Sequence, residues 1–168
     1  MRYRNGVIVM TGDRAEMLGR LDVFVGEWVL DARFPEGRPS PPRPGGDGPT
    51  ARSRFEWALD GQVLVQRTEI PAPAAPDGLM IVRADPATGS YTQHYFDSRG
   101  VARLYAMTFD GRVWTLTRES PDFTPLEFRQ RFTGTFSEDA TAITGGWEVR
   151  FDGGEWEHDF ALDYRRVG

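Results

Sequence analysis

Neither cysteine nor lysine occurs among the 168 residues. The first absence excludes disulfides, thiolate nucleophiles and zinc-thiolate sites. The second excludes Schiff-base and lysine-nucleophile chemistry, since all 20 basic side chains are arginine. Long apolar runs are missing as well. Val7 to Met10 is far too short for a signal-peptide core or a membrane span, so a cytoplasmic protein with no membrane partner is expected. A formal charge of -5, a pI near 5.1 and no basic stripe argue against nucleic acid as a partner. No Gly-x-Ser-x-Gly elbow, phosphate-binding loop, His-Glu-x-x-His or dinucleotide fingerprint is present. The acidic residues are spaced as on solvated strand faces and turns, so neither a metal nor a paired-carboxylate site is expected.

What is there is a globular composition, with 39% hydrophobic and 12% aromatic residues, and a length that fits one domain over residues 1–168 with an aromatic core. One segment reads as helix. Asp13 caps it, Glu16 sits at the capping-box position, and Met17, Leu18, Leu21, Phe24 and Val25 follow helical spacing up to Gly26. The remainder is a series of short runs of β-branched and aromatic residues between turn signals. Strands are expected near 26–34, 52–59, 62–70, 78–84, 91–97, 101–109, 112–119, 127–136, 141–150 and 155–165. Asp60-Gly61, Asp110-Gly111, Ser98-Arg99-Gly100 and Asp152-Gly153-Gly154 read as tight connections between antiparallel neighbours. A meander of about ten strands avoids exposed edges best by closing, so the expected fold is all-β, an antiparallel up-and-down barrel with the helix plugging one end. An open sandwich is the alternative. The long connections 35–51, 71–77 and 120–126 all emerge at one end, the mouth, and the proline- and glycine-rich 35–51 loop reads as a mobile flap.

Gly26-Glu27-Trp28 opens the first strand and Arg165-Arg166 closes the last, which sets an arginine to stack on the tryptophan at the barrel floor. In these residues the chain resembles the calycin superfamily of lipocalin-like barrels, whose mark is a Gly-x-Trp on the first strand crossed by a basic residue late in the last. Phe55-Glu56-Trp57 with Gly61, Tyr95 to Gly100, and Trp156 to Arg166 resemble segments of a group of uncharacterised bacterial lipocalin-like proteins. The resemblance covers about a third of the chain; it implies a fold and assigns no chemistry.

Alternation in the last strand puts Trp156, His158, Phe160, Leu162 and Tyr164 on one face, expected to point inward, with His158 near the mouth. In nitrobindin, a similar barrel, a histidine early in the last strand ligates haem iron. The resemblance thus implies haem at His158 as one reading, although no cofactor is otherwise expected. Arg103 and Tyr105 share a face and can clamp a carboxylate if that face is inside. Asp97, Arg118 and Gln130 are further polar residues among large apolar ones, all toward the mouth. For 91–97 either face can be the inner one, with His94 placed outward.

The leading functional reading is binding of a small hydrophobic or amphipathic molecule in a cavity lined by Trp57, Tyr95, Arg103, Tyr105, Trp114, Arg118, Phe132, Trp147, Trp156 and His158, in a monomer or homodimer. Whether the protein is an enzyme is left open. As a cyclase, isomerase or hydrolase it would use His158 as general acid or base and Arg103 to stabilise negative charge. A barrel packed solid with aromatics, acting as a structural module, is the third reading.

Overall fold

The structure, a computed structural model, describes residues 13–38, 50–73 and 75–168. The expected flap at 35–51 falls mostly outside them. Helix α1 (Arg14–Arg20) starts where Asp13 accepts the Ala15 amide proton at 2.9 Å. Glu16 turns to Arg20 rather than back to the cap. The helix is shorter than its apolar spacing suggested, because Leu21–Phe24 tightens into a 3₁₀ turn that drives Leu21 and Phe24 into the barrel.

Ten strands follow: β1 (Gly26–Arg33), β2 (Arg52–Ala58), β3 (Val63–Glu69), β4 (Gly78–Asp85), β5 (Ser90–Asp97), β6 (Ala102–Phe109), β7 (Val113–Arg118), β8 (Arg129–Phe136), β9 (Ala142–Arg150) and β10 (Glu157–Arg166). Each pairs antiparallel with its sequence neighbours, and β1 pairs with β10, so the sheet closes into an up-and-down barrel. Such a barrel has no free edge. Its architecture fits a calycin-like fold. Among the described residues no helix is long and apolar enough to cross a membrane.

The two ends differ. At the floor, Trp28 is fully buried, its indole nitrogen donating to Phe24 O at 2.8 Å, and the Arg166 guanidinium lies 4.2 Å above its ring. Arg166 also donates to the carbonyls of Val23, Val25 and Ala140, tying the helical segment to the last turn of the wall. Arg165, one residue back, is exposed on the outside. Gly26 allows this approach: its φ is +129°, and a Cβ there would lie 2.9 Å from Arg166 Nη1. Above Trp28 the Phe24 ring packs against Phe55, Phe109, Trp114 and Phe136 at 4.9 to 5.4 Å between centroids. This aromatic plug fills the lower barrel, and the helix does seal the floor. The connections at the other end are the longer ones and form the mouth.

One feature of the wall breaks its alternation. On β10, His158 pairs with Glu148 but Phe160 pairs with Trp147, so Asp159 is an extra residue on its strand. This β-bulge reverses the facing of everything before it.

Candidate functional site

Between the plug and the mouth the barrel is hollow, with a cavity of about 580 Å³. Ten strands give a circumference that side chains fill at the plug and leave open above it. A ribbon of rings runs along one side: Tyr95 to Tyr105 at 6.4 Å, Tyr105 to Trp147 at 5.5 Å, Trp147 to Phe132 at 5.3 Å and Phe132 to Trp114 at 4.9 Å, mostly edge to face. Phe132 has its place because Gly134 and Gly145 face each other across β8 and β9. A Cβ on either would come within 2.8 Å of its ring.

Polar groups occupy two levels. At the mouth, Arg103 Nη1 and the Tyr105 hydroxyl both donate to Gln130 Oε1, at 2.7 and 3.0 Å, and the Arg103 guanidinium sits over the Phe128 ring at 5.3 Å. Arg38 pairs with Asp159 at 2.6 Å. Arg99 pairs with Asp97, whose side chain is fully buried and also accepts from the Tyr95 hydroxyl and the amides of Arg99 and Val101. Burial pushes the Asp97 carboxyl up, but those hydrogen bonds outweigh it and hold the group below the usual carboxylate range. Burial, together with the bond to Asp97, pushes the Tyr95 phenol far up, so it remains a neutral donor. The Tyr95 to Gly100 segment therefore runs from the end of β5 into the β5–β6 turn, which Asp97 knots. Deeper in, Gln66, Gln93 and Trp114 line the cavity with Tyr164, whose phenol is pushed up to about 12 by burial.

Six of the ten expected residues lie on this wall: Tyr95, Arg103, Tyr105, Trp114, Phe132 and Trp147. Arg103 faces inward, and the inner face of β5 is Tyr91, Gln93 and Tyr95, with His94 outside. Four lie elsewhere. Trp57 faces inward but at the floor, its indole donating to Asp22 at 2.8 Å. Arg118 is buried beneath the β7–β8 loop, where it holds Asp122 through two nitrogens at 2.7 and 2.8 Å. Asp122 also accepts the Leu104 amide proton, which β7 is too short to reach. The carboxyl consequently lies far below the usual range, chiefly because of Arg118.

Trp156 and His158 require a correction. The bulge at Asp159 turns His158 to the outside, where it is exposed beside Glu148, and Trp156 lies outside too, between the guanidiniums of Arg131 and Arg150 at 4.4 and 4.9 Å. The inward stretch of β10 starts with Asp159 and Phe160. Neither of the protein's two histidines lines the cavity, so the residues present do not fit a histidine-ligated haem, and the acid-base role sketched for His158 has no access to a molecule in the barrel. Among the described residues no three His, Asp or Glu side chains cluster to hold a metal ion.

No protein-family model matches the chain, and no curated protein does. The site therefore stands on its geometry. Sequence reasoning missed Gln66, Gln93 and Asp159 as wall residues. For the glutamines a signal existed: Gln66 alternates with Leu64 and Thr68, and Gln93 with Tyr91 and Tyr95, so each is a polar residue on a buried face.

Proposed function

We propose that this protein binds a small amphipathic molecule inside the barrel, mostly apolar or aromatic in body and carrying an anionic group near the mouth. The observation that carries this reading is a hollow of about 580 Å³, walled by rings, whose entrance holds an arginine without an acidic partner among the described residues. Ligand sites commonly enclose such volumes. Arg38, Arg99 and Arg118 each have a carboxylate within hydrogen-bonding distance. Arg103, among the described residues, has neutral partners, the Gln130 amide, the Tyr105 phenol and the Phe128 ring. A guanidinium facing an apolar space is costly to leave without an anion or water, and it binds carboxylate or sulfonate with planar complementarity. Tyr105 donates to the same Gln130 carbonyl and so helps to fix the group that holds Arg103. We also read the chain as a lipocalin-like member of the calycin superfamily; the floor contact of Trp28 with Arg166 supports this.

The test uses two fluorescent probes of the same shape, anionic 1-anilinonaphthalene-8-sulfonate and neutral N-phenyl-1-naphthylamine. Both should bind saturably at one site per chain and raise the melting temperature with concentration by mass action. The sulfonate should bind about tenfold or more tightly than the neutral probe, and Arg103→Leu should remove that preference. No saturable binding of either probe, or a preference unaffected by Arg103→Leu, would overturn the reading.

A further inference from the structure

We infer that the outer face of β4 to β7 is where two copies of this chain pair, related by a twofold axis that runs along the strands between β5 and β6. The rest of the outer wall is charged: Arg131 pairs with Glu148, Arg33 with Asp163 and Arg54 with Glu56. On the outward positions of β4 to β7 the only arginine, aspartate or glutamate residues are Arg83 and Asp85, both near the floor. Leu79 and Ile81 occupy the outside of β4, Phe96 and His94 that of β5, and Leu104 and Ala102 that of β6, in rows that the strand pairing aligns. Among the described residues no helix or other strand packs across this face; α1 reaches β4 near the floor, where Arg14 donates to Ala84 O at 3.4 Å. Monomeric proteins rarely leave an uncharged face of this breadth uncovered.

The pairing list shows why the occupant is a second copy. Such an axis lays β5 of one chain on β6 of the other at the same height, so every cross-strand pair meets itself exchanged. Phe96, 37% exposed and the most prominent side chain of the face, then lies on the second copy's Ala102. His94 lies on its Leu104, and Thr92 on its Ala106. Large residues thus meet small ones where the face projects most. The axis also lays β4 on β7, which puts Arg83 against a threonine, Thr117, and not against a like charge. Four strands about 4.8 Å apart and about 26 Å long give a flat footprint of roughly 500 Å² per copy. Side-chain relief, with the exposed Phe123 that Asp122 sets beside Leu104, brings this to the roughly 600 Å² per partner where specific interfaces begin. The expected dimer is therefore of micromolar strength. An anionic lipid surface would need a basic cluster, and the face has Arg83 alone.

The experiment is sedimentation velocity of the full chain from about 1 to about 200 μM, which brackets micromolar affinity. The mass should rise with concentration from 19.0 kDa toward twice that value. Leu104→Arg should weaken association about thirtyfold or more, whereas Val29→Arg, outward on β1, should leave it unchanged, with cooperative thermal unfolding showing that each variant is folded. Because the chain has no cysteine, a short bismaleimide should link His94→Cys into covalent dimers and leave Val29→Cys monomeric, an arm that needs no destabilising substitution. A wild-type chain that stays monomeric over the whole range, or one whose association Leu104→Arg weakens no more than Val29→Arg, would overturn the inference. So would a monomer that instead sediments with neutral phosphatidylcholine vesicles. The cavity mouth lies outside this face, so each of these results leaves the proposed function standing.

Discussion

Replacing Asp122 by alanine should destabilise the protein far more than an ion pair usually does. Both side chains of the Arg118–Asp122 pair are almost sealed from solvent, at 2% and 3% exposure. Exposed pairs contribute about 0 to 1 kcal/mol, whereas removing one member of a buried pair strands the other charge and costs about 3 to 5 kcal/mol. Asp122→Ala also strips the Leu104 amide of its acceptor. For a chain of this length about 1 kcal/mol corresponds to roughly 2 to 4 °C, so the melting temperature should fall by roughly 6 to 20 °C. Urea denaturation followed by circular dichroism measures the free energy directly. The double variant Arg118→Met with Asp122→Leu should recover most of the loss, because it removes both charges. Acid titration gives a second view. Arg118 holds the folded-state carboxyl far below its unfolded value. The pair's contribution is therefore complete above about pH 4 and is lost as pH falls further, and Asp122→Asn should flatten that limb of the stability curve. A loss below about 1 kcal/mol in Asp122→Ala, or a double variant worse than the single, would refute the argument.

Gly145→Ala should cost about 1 to 3 kcal/mol by denaturant titration and weaken 1-anilinonaphthalene-8-sulfonate binding, since its Cβ would lie 2.7 Å from Phe132 Cζ and push that ring into the hollow. The Tyr164 phenol, raised by burial to about 12, contributes stability that is complete below about pH 10 and declines as pH rises toward 12. Tyr164→Phe should reduce the decline seen by fluorescence-monitored unfolding at alkaline pH. His158→Ala should leave both probe affinity and, within about 0.5 kcal/mol, stability unchanged, because the imidazole is exposed outside the wall; a large loss of probe binding would place it at the ligand after all.

Local chemistry makes most of the wall legible in the amino-acid sequence. The turn residues separate runs of the right length, and all ten strands begin and end within about two residues of where alternation and turn chemistry put them. The Trp28 and Arg166 contact is also readable, since it needs only the two ends of a closed meander to meet. The site is less so. A period-two reading of β10 assigns Phe160, Leu162 and Tyr164 correctly and then carries His158 to the wrong side, because the extra residue Asp159 leaves no mark in composition. Arg118 reads as a cavity cation until the β7–β8 loop folds Asp122 back onto it. That contact depends on a loop path, which strand periodicity does not contain. Gln66 and Gln93 are visible as polar residues among apolar ones, but which of their atoms find a partner depends on the three-dimensional arrangement of their neighbours.

The most direct test of the central idea, a ligand-holding hollow with an anion seat at Arg103, is a crystal structure of the protein grown with 6-bromo-2-naphthoate, located by the anomalous signal of bromine. One bromine per chain is expected inside the barrel beside Phe132 and Trp147, with the carboxylate within hydrogen-bonding distance of Arg103. Bromine found only on the outer surface, or an interior closed by side chains at ligand concentrations that saturate binding in solution, would contradict it.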